Sequence, residues 1–369
     1  MKGSKPRALG RPVIKLLVVV DSALVRKLLG QVFAKEADFE VQFAANGVQA
    51  LERLTTFQPH VVTLDVHMPH MDGLTCLNQI MLERPVPVVM VSSLTADGAE
   101  ATLEALRLGA VDFVPKPGGA VSLHIEDWAP ELVLKVRAAA KVKLKSSTRL
   151  RERLRHRGRL QTHRPPVGAA GSHRPVPASG DGLVLVGTST GGPPALEALL
   201  TPLPSDFPWP IIVAQHMPAS FTGPLARRLD GICGLSVLEV TRPTPLTAGN
   251  VYIGRGDADI IVARRPAGLV ALPAPGISGY PWRPSTDRLV RSALLHLPAE
   301  QLVGVLMTGM GDDGAEAMSL LHAQGGRAIA EAEETAVVWG MPGELVRAGG
   351  ADYVEPLPRI AERLCGLVP

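Results

Sequence analysis

Short apolar runs alternate with helically spaced apolar positions through residues 12–118. VIKLLVVV (13–20), FEVQF (39–43), HVVTL (60–64), VPVVMV (86–91) and VDFV (111–114) have the length and composition of strands. Between the first two, Leu24, Val25, Leu28, Leu29, Val32 and Phe33 recur at one-turn intervals, which predicts a helix. Further helices fit 47–56, 74–82 and 98–108. The strands are continuously apolar and do not alternate. A sheet buried on both faces has that signature, so this region predicts a parallel sheet between helices.

The pattern then breaks. A helical stretch, WAPELVLKVRAAAKVKL, runs into a segment carrying Lys141, Lys143, Lys145 and the arginines from Arg149 to Arg164, opposed only by Glu152. From Arg157 to Gly182 the chain is rich in Gly, Pro, Ser, His and Arg and has no apolar period, as linkers do. Strand and helix patterns resume at 183 with LVLVG, a helix from Pro193, PIIVAQH, SVLEV, NVYIG, DIIVA, GLVAL, LVGVLM and GRAIA. Residues 260–272 read as a hairpin, so the second sheet is expected to be mixed, though mostly parallel. The expected limits are a first α/β domain over 12–135, a linker over 136–181 and a second α/β domain over 182–369.

A length of 369 residues agrees with two cores. Aromatic residues are only 4%, which argues against a base-stacking nucleic-acid platform. Cys76, Cys233 and Cys365 are far apart and odd in number, excluding a disulfide framework or a zinc cluster and fitting a reducing compartment. The basic N-terminus followed by VIKLLVVV resembles a signal peptide at first sight. Lys15 interrupts that run, however, and Asp21 follows it with no small-residue cleavage site. A buried strand and a cytoplasmic protein without membrane insertion are expected. The net charge of +3 conceals the basic stretch, so the flanking domains carry net negative charge.

In open parallel sheets, function gathers where the strands end. The first domain places Asp21, Asp65, Ser92 and Lys116 after its first, third, fourth and fifth strands. Any one of these could simply cap a strand or helix. Together, two carboxylates, a hydroxyl and an ammonium suit a carboxylate that accepts a phosphoryl group beside Mg²⁺. With the loop DVHMPHMDG and the turn VPKP, this segment resembles the receiver domain of two-component response regulators. The resemblance implies a five-stranded, doubly wound, flavodoxin-like fold, with Asp65 as phosphoacceptor and Asp21 as metal ligand. It also implies that the His67 carbonyl completes a Mg²⁺ site, Ser92 and Phe113 are switch residues, and Lys116 pairs with the phosphoryl group. One departure is Val20, where receivers usually carry a second acid beside Asp21.

The second domain opens on VGTSTGGPPALEALL (186–200). Its glycines lie at a strand-to-helix turn, where they could cradle a phosphate or present Ser189. A P-loop would need a lysine after Gly191 and Gly192, and Pro193 stands there; the dinucleotide fingerprint also fails on spacing. A bare anion site at the helix start stays open. A nucleophilic serine requires a base and an orienting acid. The next strand ends in His216, and LVGVLM ends in TGMGDDGA, which offers both Asp312 and Asp313. A strand-end histidine is usually structural, and DDGA alone reads as a turn. All three residue types at strand ends of one sheet favour a triad, with glycines that let backbone N–H groups approach an oxyanion.

A receiver, a linker, and then GTSTGG, QHMP, RPSTD and TGMGDDGA in that order resemble the family of chemotaxis protein-glutamate methylesterases and protein-glutamine glutaminases. The resemblance implies Ser189 as nucleophile, His216 as general base and acid, and Asp313 as orienting carboxylate. Thr190 and Met310 would flank the serine, with their backbone N–H groups as the oxyanion hole. It also implies methyl-accepting chemoreceptors as substrate, a histidine kinase as phosphodonor, a monomer, and no cofactor for the ester hydrolysis itself. At VYIGRGDAD the family's Ala-Pro-Gly and downstream His are replaced by Gly254, Arg255, Gly256 and Asp259, which bears on substrate fit. Two rival readings are a DNA-binding response regulator, for which no recognition-helix module follows the receiver, and a scaffold that binds receptors without turnover.

Overall fold

A computed structural model describes residues 13–116, 125–142, 144 and 182–369. Residues 145–181 of the basic and Pro/Gly-rich segment, and the basic residues before 13, lie outside the described residues. Contacts divide the chain into two compact units, Met1–His163 and Arg164–Pro369.

In the first unit, strands β1 (Ile14–Val19), β2 (Phe39–Ala44), β3 (Val61–Asp65), β4 (Val88–Ser92) and β5 (Asp112–Pro115) form one sheet in the order β2-β1-β3-β4-β5. Every pairing is parallel. Strands β3 and β4 are buried along their whole length, as their unbroken apolar sequence requires. The connecting helices are α1 (Ala23–Ala34), α2 (Gly47–Thr56), α3 (Gly73–Glu83), α4 (Ala96–Leu108) and α5 (Ile125–Ala139). The first four start at Ser22, Asn46, Asp72 and Thr95, whose side chains each accept an N–H from the first turn. Helix α5 extends past residue 135, so it enters the segment the sequence assigns to the linker.

The second unit is built on β6 (Leu183–Thr188), β7 (Ile211–Gln215), β8 (Ser236–Val240), β10 (Asn250–Gly254), β13 (Leu302–Leu306), β14 (Arg327–Glu331) and β15 (Tyr353–Glu355). These seven strands run in the order β15-β14-β13-β6-β7-β10-β8, and all six pairings are parallel. The expected mixed sheet is therefore corrected. The hairpin of β11 (Asp259–Arg265) and β12 (Gly268–Ala274) leaves the main sheet and forms a separate antiparallel layer with β9 (Thr244–Pro245). Its apolar face supplies Ile260, Val262 and Ala271 to the core between the layers, so the hairpin buries its stripe without joining the parallel ladder. Helices α6 (Gly192–Leu200), α7 (Ala219–Asp230), α8 (Thr286–Leu294), α9 (Ala315–Ala323), α10 (Met341–Arg347) and α11 (Leu357–Leu367) complete the unit. Among the described residues, no helix is long and apolar enough to cross a membrane.

Candidate functional sites

Chain order reverses at β6, which lies between β13 and β7. The crevice at such a switch point opens at the carboxyl ends of the strands. Ser189, His216 and Asp313 follow β6, β7 and β13, so three adjacent strand ends carry them. His216 N–H donates to the Thr188 carbonyl (3.0 Å), and Ser189 N–H to the Thr308 carbonyl (2.9 Å). Gln215 Nε2 donates to the carbonyls of both Ser189 (3.1 Å) and His216 (3.0 Å), binding the two turns together.

The turn after β6 depends on its glycines. Gly191 has φ +77°, a left-handed conformation that side chains rarely adopt. A Cβ on Gly192 would lie 2.0 Å from Gln215 Oε1 and displace the amide that bridges Ser189 and His216. Pro193 and Pro194 then occupy the first turn of α6, where a missing N–H costs nothing.

His216 Nε2 lies 2.7 Å from Asp313 Oδ2, with both side chains buried. Asp313 also accepts from Ser285 Oγ (2.9 Å), Thr286 N–H (2.6 Å) and Asp287 N–H (3.1 Å). Burial alone would raise the Asp313 carboxyl, but the bonds from His216, Thr286 and Asp287 hold it below its ordinary value. A carboxylate only accepts, so His216 Nε2 carries the proton and Nδ1 the lone pair. That Nδ1 is buried and has no partner among the described residues. Ser189 is half-buried, and no hydrogen bond joins its Oγ to a described residue.

The TGMGDDGA turn also carries Gly309 and Met310. Gly309 N–H donates to the Val338 carbonyl (3.0 Å), whereas nothing among the described residues accepts the Met310 N–H. A Cβ on Gly309 would fall 2.8 Å from Ser189 Cβ, so this turn lies against the serine. Of the two acids that the sequence leaves open, Asp313 is buried on the histidine and Asp312 is exposed.

In the first unit, Lys116 Nζ bonds Asp65 Oδ2 (2.6 Å), and His67 N–H donates to Asp65 Oδ1 (3.2 Å). Burial raises the Asp65 carboxyl, with Lys116 and His67 opposing and the nearby charge of Asp21 adding to the rise. Ser92 ends the neighbouring strand β4, but its Oγ donates to the Gly98 carbonyl (3.0 Å) and not to Asp65. Phe113 is buried. The oxygen-only set of Asp21, Asp65 and the His67 carbonyl fits a hard divalent cation such as Mg²⁺, with Asp21 and Asp65 close enough to repel. Val20 is buried, and Arg26 Nη1 donates to the carbonyls of Val20 (2.6 Å) and Asp21 (2.8 Å). A cation thus stands beside the position that lacks an acid.

Comparison with known proteins decides what these two sites belong to. The profile of the response regulator receiver domain matches residues 16–126, and that of the CheB methylesterase matches 184–364. A protein-glutamate methylesterase/protein-glutamine glutaminase of Rhodopseudomonas palustris is 58% identical over 95% of this chain and 96% of its own length. One of Rhodospirillum rubrum is 51% identical over 95% of each. This chain belongs to the CheB family. It is a protein-glutamate methylesterase/protein-glutamine glutaminase with a receiver domain, and it acts in chemotaxis adaptation. The crystal structure of the Thermotoga maritima CheB methylesterase catalytic domain is also similar, at 37% identity and a TM-score of 0.49, covering 52% of this chain and all of that one.

This CheB chain holds further residues around the edge that carries Ser189 and His216. Trp282 stacks on His216, with ring centroids 5.5 Å apart and planes 10° from parallel. Its only signal in the sequence is a tryptophan in an aromatic-poor chain. Glu331, at the end of β14, is buried and accepts the Thr308 N–H (2.8 Å), fixing the strand end from which the TGMGDDGA turn departs. Asp287, within the quoted RPSTD, accepts the Ala317 N–H in the first turn of α9 (2.8 Å).

Burial pushes the Asp287 carboxyl up to about 6, with the Asp313 charge adding to the rise and the Ala317 N–H opposing it. The folded state therefore holds this proton more tightly than the unfolded chain. Its contribution to stability is complete below about pH 4 and disappears as pH rises through about 6. Asp287→Asn is expected to melt progressively higher than the parent as pH increases from about 4 to about 6. Calorimetry across that range checks it, and a constant offset would contradict the assignment.

Proposed function

We propose that this chain hydrolyses glutamyl methyl esters on chemoreceptor helices with Ser189 as nucleophile, His216 as base and acid, and Asp313 as orienting carboxylate. The proposed domain limits are 12–135 for the receiver, 136–181 for the linker and 182–369 for the catalytic domain. The observation that carries the reading is the His216–Asp313 contact, which leaves the imidazole Nδ1 buried with its lone pair uncommitted.

Ser189 Oγ adds to the ester carbonyl carbon while its proton passes to His216 Nδ1. The resulting imidazolium keeps its Nε2–H on Asp313, whose four donors hold it ionised. The oxyanion faces the backbone N–H groups of Thr190 and Met310. When the tetrahedral adduct collapses, His216 returns the proton to the departing methoxide, and methanol leaves. Water then gives a proton to His216 and adds to the acyl-serine, and collapse frees the glutamate carboxylate and restores Ser189. A glutamine side chain follows the same course and releases ammonia, a poorer leaving group that depends more on protonation by His216.

Phosphorylation at Asp65 by a histidine kinase is the proposed control. Mg²⁺ held by Asp21, Asp65 and the His67 carbonyl would offset charge on the incoming phosphoryl oxygens. Lys116 would pair with the phosphoryl group, and Ser92 and Phe113 would respond to it as switch residues. In the proposed cycle the receiver restrains the esterase until Asp65 is modified. A typical coupling of this kind is worth about 5–150-fold.

Methanol release from methylated receptor, with and without a small phosphodonor, tests the scheme. The parent should be stimulated within that range, and Asp65→Ala should keep the basal rate and lose the response. Stimulation that survives in Asp65→Ala would overturn the assignment. Val20→Asp restores an acid next to the proposed Mg²⁺ site. It is expected to lower the Mg²⁺ concentration needed for half-maximal stimulation by about 10–100-fold, the usual size of an outer-shell effect. Coincident titration curves for parent and Val20→Asp would show position 20 to be silent.

A further inference from the structure

Asp259 belongs to the segment where the sequence raises a question of substrate fit, yet the structure buries it completely at the start of β11. Its Oδ2 receives Arg288 Nη1 from the first turn of α8, and its Oδ1 accepts the Ser285 N–H (2.8 Å). Arg288 Nη1 also donates to the Pro275 carbonyl (2.6 Å), so one guanidinium nitrogen holds both Asp259 and the end of the hairpin. Ser285 is the residue whose Oγ donates to Asp313, and the next two residues supply the other two non-histidine donors to that carboxylate. An unbroken chain of bonds thus leads from Asp259 through the Ser285–Asp287 turn to Asp313 and on to His216.

We infer that Asp259, seated by Arg288, is a positioning residue for the esterase: it fixes the Ser285–Asp287 turn and thereby the carboxylate that orients His216. Asp259 touches neither substrate nor the reacting atoms. The segment Asp259–Arg265 is the first strand of the accessory hairpin, so the hairpin layer has a second task besides covering the core. It braces the catalytic edge of a sheet to which it does not belong.

The inference rests on the triad proposed above, and it makes a sharper demand than burial alone. What Asp259 must supply is an acceptor at Oδ1, with its charge serving to hold Arg288. Removing Asp259 by itself would strand the Arg288 cation in a largely buried position, and the chain could then fail to fold. The test therefore uses two charge-free pairs in the full chain, Asp259→Asn with Arg288→Met and Asp259→Ala with Arg288→Met. Both lose the ion pair and both leave the Pro275 carbonyl without its donor. Only the asparagine pair keeps an acceptor for the Ser285 N–H.

The alanine pair is expected to lose about 10²-fold in kcat with KM unchanged, the scale of a small displacement of a catalytic group. The asparagine pair should recover most of that loss. Thermal melting confirms that both pairs are folded at the assay temperature. A second readout is independent of turnover: the low-field proton resonance of His216 Nε2–H on Asp313. It should persist in the parent and the asparagine pair and broaden or move upfield in the alanine pair. Equal kcat and an equal resonance in the two pairs, whether both high or both low, would overturn the inference. If Ser189→Ala instead proved fully active, the triad would fall, and the imidazole resonance would still report whether Asp259 governs the His216–Asp313 contact.

Discussion

Ser189→Ala is expected to abolish methanol release, with kcat falling by roughly 10⁴–10⁶-fold, while the fold and the phosphodonor response of the receiver remain intact. The size follows from what is removed. Without Oγ no acyl intermediate can form, and the residual rate is what oxyanion donors and binding supply to attack by water, on the order of 10³–10⁴-fold over solution. Nothing else in the turn depends on that hydroxyl. Ser189 N–H and C=O make the bonds that hold the turn to Thr308, Gly192 and Gln215, and alanine keeps both. A stability change beyond about 0.5 kcal/mol is therefore not expected. Measuring methanol from receptor of known methylation, together with the melting temperature, separates loss of chemistry from loss of structure. Substantial turnover in Ser189→Ala would end the nucleophile assignment.

The three strand ends could be read in the sequence because a buried parallel strand is a continuous apolar run, and the first polar residue after it marks the edge. That logic finds Asp65, Ser189 and His216, and narrows the acid to Asp312 or Asp313. It cannot choose between the two acids, because the choice depends on which side of the turn faces His216. It also cannot find Trp282 or Asp259, whose neighbours are distant in sequence and carry no periodicity. The parallel character of the second sheet was obscured for a related reason. The hairpin over 259–274 is visible as a hairpin, but its partner is Thr244–Pro245, too short to leave a pattern.

The second large effect is expected from Asp313→Asn, about 10⁴-fold in kcat. The carboxylate has four neighbours and all are donors: His216 Nε2 and Thr286 N–H at Oδ2, Ser285 Oγ and Asp287 N–H at Oδ1. An amide has one acceptor end. Turned with its oxygen toward Ser285 and Asp287, it sets its NH₂ group against the Thr286 N–H and His216 Nε2–H, so those two bonds are lost and the histidine is the partner most free to respond. It can rotate or move its proton to Nδ1, and either change removes the lone pair required by Ser189. The loss should therefore appear in single-turnover acylation and not only in product release. Each donor left unsatisfied in this buried site costs about 1–3 kcal/mol, so a lower melting temperature should accompany the kinetic defect. A variant within tenfold of the parent would show that Asp313 does not orient the base.

The parallel register of β6 against β13 places Leu183–Gly187 beside Leu302–Leu306, with the whole of β7 through β12 threaded between them in the chain. Parallel pairing over such a separation closes a long loop before it yields contacts, which makes it slow to form. During synthesis at about 5–20 residues per second, the first unit, whose last described helix ends at Ala139, emerges roughly 9–35 seconds ahead of Asp313. Nascent chains thus carry a finished regulatory unit on a hydrolase that cannot yet be assembled. Ribosome-bound or truncated products would accept a phosphoryl group without being able to cut an ester.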